Sequence, residues 1–169
     1  MVAGVQKNIK KMTWGYTIDL MTKGIETINL LAKFKDDHTL NLYEGNVEEP
    51  KKTITSEHIV IAVGGRPSYG GIEGAEECTF TSDDIFSMAD VPDHVCIVGA
   101  SYIALESAGM LRSCGKQVTV MVRSIFLRGF DQQMADKVAE NLASIGVQFI
   151  RGASPTKFEK TENGVKVTY

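Results

Sequence analysis

Only three cysteines, Cys78, Cys96 and Cys114, occur in 169 residues, and their wide spacing makes neither a C-x-x-C pair nor a set of metal ligands. A redox disulfide within a short motif is therefore excluded. Cys96 falls in an apolar run and Cys114 near a helix end, so both read as small core residues. The histidines His38, His58 and His94 are equally dispersed, which argues against a metal centre and a local catalytic triad. No apolar run approaches the length of a membrane span, and the N-terminal residues carry no signal-peptide apolar region. Cytosol is the expected compartment, with a mitochondrial form left open. A net charge of −3 gives no global reason to expect nucleic acid or a membrane as partner, so any phosphate site must be local.

What is present is concentrated between Val95 and Asp131. Val95 to Val98 is a short β-branched run, read as a strand buried on both faces, and it breaks at Gly99. From Tyr102 to Cys114, Ala104, Ala108 and Leu111 fall on one helical face, with Gly115 placed to end the helix. Val118 to Val122 is a second strand. Gly99, Ser101 and Ala104 occupy the special positions of G-x-G-x-x-G/A: a tight turn first, and a small residue for close helix packing last. The middle glycine is replaced by Ser101, which either crowds a pyrophosphate or contributes its hydroxyl. The helix N-terminus behind this turn is suited to an anion.

At the end of the second strand, where an NAD site places an acid, stand Arg123 and Ser124, with Arg128 beyond. An acid would repel a 2′-phosphate, whereas two guanidiniums clamp it with charge-assisted bonds. The expected ligand is NADPH rather than NADH. Surface arginines that are merely solvated are the plainer alternative.

The remaining segments follow from periodicity and turn residues. Met1 to Met12 reads as an amphipathic helix interrupted by Trp14-Gly15-Tyr16. Ile25 to Leu31, Ala32 to Lys35 and Thr39 to Tyr43 read as short strands turning at Asp36-Asp37-His38, a small antiparallel excursion. Glu44 to Ser56 reads as a loop or weak hairpin, and Ile59 to Val63 as a buried strand that turns at Gly64-Gly65-Arg66-Pro67. Ser82-Asp83-Asp84 is placed to cap a helix through Ile85, Phe86 and Met88. After the arginines, Asp131 can cap a helix with Met134, Val138, Leu142 and Ile145 on one face and Gly146 at its end. Val147 to Ile150 is a third parallel strand, and Glu162-Asn163-Gly164 joins a hairpin.

The wording Gly-Ala-Ser-Tyr-Ile-Ala-Leu-Glu (99–106) and Val-Thr-Val-Met-Val-Arg-Ser-Ile-Phe-Leu-Arg-Gly-Phe-Asp-Gln (118–132) closely resembles the NADPH-binding domain of large, animal-type thioredoxin reductases and thioredoxin-glutathione reductases. These belong to the glutathione reductase-like flavoprotein disulfide reductases, and the resemblance covers nearly the whole chain. It implies an α/β fold: residues 1–91 as the later part of an FAD-binding domain, and residues 92–169 as most of a Rossmann-like NADPH-binding domain, a parallel sheet with helices.

The resemblance also implies site residues. NADPH contacts fall on Gly99, Ala100, Ser101, Tyr102, Ile103, Ala104, Leu105 and Glu106, then on Arg123, Ser124, Arg128, Gly129, Phe130, Asp131 and Gln132, with Arg66 reaching toward the same ligand. FAD contacts fall on Leu31, Ala32, Val63, Gly64 and Tyr102. Leu30 stands where relatives commonly carry glycine, and Val63 where they carry a threonine hydroxyl. Tyr102 is expected to cover the nicotinamide pocket, and Glu106 to pair with a lysine near the flavin.

The implied reaction passes hydride from NADPH to FAD and on to a disulfide of thioredoxin, or of glutathione in the close variant. The chain contains no C-x-x-x-x-C pair, no second glycine fingerprint for FAD and no His-Glu dyad, so no catalytic residue is assigned and the chain alone is expected to be inactive. It is expected to be an internal fragment, beginning within the FAD domain. The full-length protein is expected to be a homodimer. A non-catalytic NADPH-binding module is the alternative from another functional class.

Overall fold

The computed structural model describes residues 2–169, and Met1 lies outside them. The chain divides into two compact units, Ala3–Gly65 and Arg66–Tyr169.

In the first unit, helix α1 runs Val2–Thr22 with no buried residue. The expected break at Trp14-Gly15-Tyr16 does not occur. A glycine inside a helix costs only about 0.5–1 kcal/mol relative to alanine, too little to interrupt a helix of 21 residues. The real end is at Gly24, which takes φ +72°. There Ile25 N–H donates to Leu20 C=O at 2.9 Å and Gly24 N–H to Met21 C=O at 3.0 Å, the paired bonds of a Schellman stop.

Strands β1 (Leu31–Asp36), β2 (Thr39–Tyr43) and β3 (Lys52–Thr55) form an antiparallel sheet in that order. β1 and β2 answer to the expected excursion. Residues 25–30 are coil ending in a bend, where a further strand was expected. β3 occupies part of the stretch read as a loop or weak hairpin, and it returns antiparallel on β2, with Leu40 beside Ile54. Residues 57–65 form no strand, and Val60 and Val63 are 87% and 88% exposed. The buried strand expected at Ile59–Val63 is thus corrected: no strand forms, and beyond half-buried Ile59 its side chains are exposed.

The second unit carries the parallel sheet. Strand β4 (His94–Val98), helix α3 (Tyr102–Ser113), β5 (Gln117–Val122), helix α4 (Gln132–Ser144) and β6 (Gln148–Arg151) follow in sequence. A short helix, α2 (Ala75–Cys78), precedes them, and the hairpin β7 (Lys157–Thr161) with β8 (Gly164–Thr168) follows. Sheet order is β4-β5-β6, every pair parallel, with Ile97 beside Val120 and Val120 beside Phe149. Both helices end in Schellman stops, at Gly115 (φ +84°) and Gly146 (φ +95°).

Leu105, Ala108 and Leu111 of α3 and Ala135, Ala139 and Leu142 of α4 join Val118, Val120 and Val122 of β5 in one buried cluster. Fully burying a Val or Leu contributes roughly 1.5–3 kcal/mol, so β5, buried at every position after Gln117, anchors the unit.

Four expectations change here. β4 is not covered on both faces: Val95 is buried, whereas Cys96 is exposed and Val98 is 47% exposed. It is an edge strand, so burial alternates with the pleat. Cys114 is exposed as well, so neither Cys96 nor Cys114 is a core residue. Ser82-Asp83-Asp84 caps no helix; the Asp84 carboxylate accepts from the Thr81 N–H at 2.8 Å and closes a turn. Finally, α4 buries its alanines, while Met134, Val138 and Ile145 are 62%, 41% and 44% exposed. Close approach of helix to sheet selects the small residues, which a count of large apolar side chains overlooks.

Candidate functional site

The ends of β4, β5 and β6 open on one cleft of about 640 Å³, the position at which open parallel sheets bind ligands. Its floor is the turn after β4. Gly99 has φ +121°, a conformation that side-chain-bearing residues rarely adopt, and a Cβ there would meet nothing within 4 Å. Backbone strain, not crowding, requires the glycine.

Ser101 follows in an extended conformation and its hydroxyl accepts from the Ala104 N–H at 3.4 Å. This explains the serine in place of the fingerprint's second glycine: it is the N-cap of α3. The remaining first-turn N–H groups have no partner within the helix and, with the helix dipole, favour an anion. Tyr102, the first residue of α3, lines the cleft and is 56% exposed.

The loop leaving β5 forms the facing wall. Arg123, Ser124 and Arg128 all line the cleft. Arg128 Nη2 donates to Ser124 Oγ at 2.8 Å, while Arg123 has no ion-pair partner among the described residues. The loop docks on the glycine turn, because Leu127 N–H donates to Ala100 C=O at 2.8 Å. Leu127 takes φ +44°, the one positive value among described non-glycine residues. No carboxylate among the described residues lines the cleft, so two guanidiniums and a helix N-terminus set its sign. The donor set fits a dinucleotide with a phosphorylated ribose: amides for a pyrophosphate, and two arginines and a hydroxyl for a further phosphate.

Eight of the residues expected to bind NADPH line this cleft: Gly99, Ala100, Ser101, Tyr102, Arg123, Ser124, Arg128 and Phe130. Others sit apart from it. Ala104 and Leu105 are buried in the unit's interior, and Ile103 and Gly129 are outside the lining. Asp131 is the N-cap of α4, accepting from Met134 N–H at 3.0 Å. Gln132 turns its amide onto loop carbonyls. Glu106 borders a second hollow, of about 500 Å³, between α3 and α4 with Met134, Val138 and Leu142. Arg66 Nη1 is paired with Asp83 Oδ2 at 2.8 Å and does not line the cleft. The sequence reading missed Ala153, Ser154 and Pro155. Their position just past β6 was the available signal.

The residues expected to meet FAD are divided between the units. Leu31 and Ala32 open β1, both exposed, and Val63 and Gly64 lie on the strandless segment of the first unit; Tyr102 belongs to the second. A Cβ on Gly64 would meet nothing within 4 Å, leaving its backbone, at φ +70°, open to close approach. At Leu31, Ala32, Val63 and Gly64 the chain offers backbone groups and exposed apolar side chains, which suits an aromatic ring system held from one side.

A parallel sheet, a glycine turn into a capped helix and an arginine-bearing loop after the next strand define a nucleotide-binding α/β unit. The chain matches the pyridine nucleotide-disulphide oxidoreductase family over residues 2–169, and it belongs to that family. Among curated relatives, thioredoxin reductase SEP1 of Emiliania huxleyi is 46% identical over 166 residues, covering 98% of this chain and 33% of that protein. Thioredoxin reductase 2, mitochondrial, of Drosophila melanogaster is 42% identical over 164 residues, covering 97% of this chain and 32% of that protein. Among solved structures, the HOCl-induced flavoprotein disulfide reductase RclA from Escherichia coli superposes with TM-score 0.81 at 26% identity, over 99% of this chain and 39% of that one. Its Cu(II) complex superposes with TM-score 0.80 at 25% identity, over 99% and 38%. The chain thus spans about a third of the length of the curated relatives it matches. No helix among the described residues is long and apolar enough to cross a membrane.

Proposed function

We propose that this chain is part of an NADPH- and FAD-dependent disulfide reductase of the thioredoxin reductase type, with residues 92–169 holding NADPH and residues 1–91 contributing to the FAD site. The observation that carries the reading is the Arg123, Ser124 and Arg128 cluster at the mouth of β5, in a family member whose relatives at 42–46% identity are thioredoxin reductases.

When bound, NADPH supplies a hydride that the flavin relays to a disulfide; the protein's task is placement. Gly99 lets the backbone approach the pyrophosphate. Ser101 fixes the first turn of α3, whose amides face that group. Arg123 and Arg128 hold the 2′-phosphate, a group that NADH lacks. Tyr102, exposed at the cleft wall, shields the nicotinamide end from water. Leu31, Ala32 and Gly64 present backbone and apolar surface to the flavin's nucleotide.

Thioredoxin is the disulfide partner favoured over glutathione disulfide, because both curated relatives carry the thioredoxin reductase name. The working protein is a homodimer in the cytosol or the mitochondrion. The test is NADPH oxidation by the protein from the complete reading frame, with thioredoxin and with glutathione disulfide in parallel. Turnover with thioredoxin and a bound flavin spectrum are expected. Turnover with glutathione disulfide alone, or none with either, overturns the reading.

A further inference from the structure

The loop that carries Arg128 is held in an unusual shape. It leaves β5 at Arg123, passes through Leu127 at φ +44°, and enters α4 at Gln132. A left-handed leucine is disfavoured by roughly 1–2 kcal/mol, so the loop keeps this form only where other bonds hold it. One is the Leu127 N–H to Ala100 C=O bond at 2.8 Å, and another the Phe130 N–H to Leu127 C=O bond at 2.9 Å.

The third restraint is a side chain. Gln132 Nε2 lies 3.0 Å from Phe130 O, 3.3 Å from Phe126 O and 3.5 Å from Leu127 O. These carbonyls bracket Arg128 on both sides in sequence. An amide nitrogen offers two N–H donors, so the Phe130 bond is the firm one and the other two carbonyls share what remains. Gln132 itself does not line the cleft.

We propose that Gln132 is a positioning residue: its amide straps the loop so that Arg128 meets the 2′-phosphate, and selectivity for NADPH over NADH is set in part by a side chain outside the nucleotide cleft. The proposal rests on the NADPH reading above. It replaces direct contact, the role the family resemblance gave to Gln132, with action through Arg128. Among the described residues Arg128 is tethered by the Ser124 hydroxyl, so a shift of the backbone at residues 126–130 draws the guanidinium away from that tether.

The experiment is a double-mutant cycle on the full chain, titrated with NADPH and NADH. Gln132→Met keeps length and neutrality and removes both donors. It is expected to lower the preference for NADPH by about tenfold, with NADH affinity unchanged. In the Arg128→Ala background the same substitution is expected to have no further effect, because residues acting as one unit are non-additive. Equal weakening of both nucleotides, or full additivity with Arg128→Ala, overturns the strap, since a merely structural role would produce either. If Arg128→Ala leaves the preference intact, the NADPH reading itself fails and the strap falls with it. Gln132→Asn, one methylene short of the carbonyls, serves if the methionine variant does not fold; it is expected to reduce the preference, and full retention overturns the proposal.

Discussion

Arg128 Nη2 donates to Ser124 Oγ at 2.8 Å across one turn of the loop that follows β5. A guanidinium that would otherwise sample many rotamers is thereby pointed into the cleft before any ligand arrives. Pre-ordering of this kind raises affinity by removing an entropic cost from the binding step. Ser124→Ala is expected to weaken NADPH binding by about threefold to tenfold, one ordinary hydrogen bond's worth, while NADH affinity stays constant. Parallel equilibrium titrations check it.

Asp131 and Arg123 differ in kind although both lie on this loop. Asp131 holds the first turn of α4, so Asp131→Ala is expected to cost about 1 kcal/mol of stability and to leave the NADPH-to-NADH ratio unchanged. Urea unfolding, read beside the same titrations, separates the two effects.

Glycine replacements probe two different constraints. Gly99→Ala meets an empty space but a forbidden φ of +121°, and should destabilise by roughly 1–2 kcal/mol. Gly74→Ala meets both a φ of +74° and the Phe158 carbonyl oxygen, only 2.1 Å from the new Cβ. It should break the Phe158 N–H bond to Glu73 C=O, 2.9 Å long, and release the β7-β8 hairpin from α2. Amide exchange at Phe158 is expected to rise sharply in the Gly74 variant and little in the Gly99 variant.

The same hairpin carries an ion cluster. Lys157, hydrogen-bonded to Glu73 and beside Glu159, has its ammonium held above the usual lysine value. Glu159, facing Lys157 and then Lys166, has its carboxyl held below the usual glutamate value. The raised lysine contributes fully below the ordinary lysine range and loses that contribution as pH rises through its raised value. The lowered glutamate contributes fully above the ordinary glutamate range and loses it as pH falls through its lowered value. Protection at Phe158, corrected for intrinsic exchange, should therefore be flat across neutral pH and decline at the acid end. Lys157→Gln should shrink that acid decline. All these groups are exposed, so the effect is small and fades with salt.

The parallel unit was legible in the sequence because its signals are local and agree with each other. Glycine turns at 99, 115 and 146 and the β-branched strand at 118–122 each dictate one backbone shape. The errors arose where partners decide. Cys96 and Val98 look like core residues, yet an edge strand leaves one face open. Val60 and Val63 read as a buried strand, and no described strand of their unit pairs with them. Trp14-Gly15-Tyr16 reads as a break because propensity counts Gly15 without the long helix around it. In the site, motif wording located the arginine loop and the capped turn, but could not separate side chains that face the cleft from Asp131 and Gln132, which hold its wall. That distinction depends on rotamers and hydrogen-bond geometry, which no residue spacing encodes.

The most direct test of the account is the affinity of the chain for NADPH and NADH, measured side by side for wild type and for Arg123→Ala combined with Arg128→Ala. The account predicts a strong preference for NADPH that collapses in the double variant, through a loss of roughly 10- to 1,000-fold in NADPH affinity with NADH little changed. A folded double variant that still prefers NADPH to the same degree would contradict it.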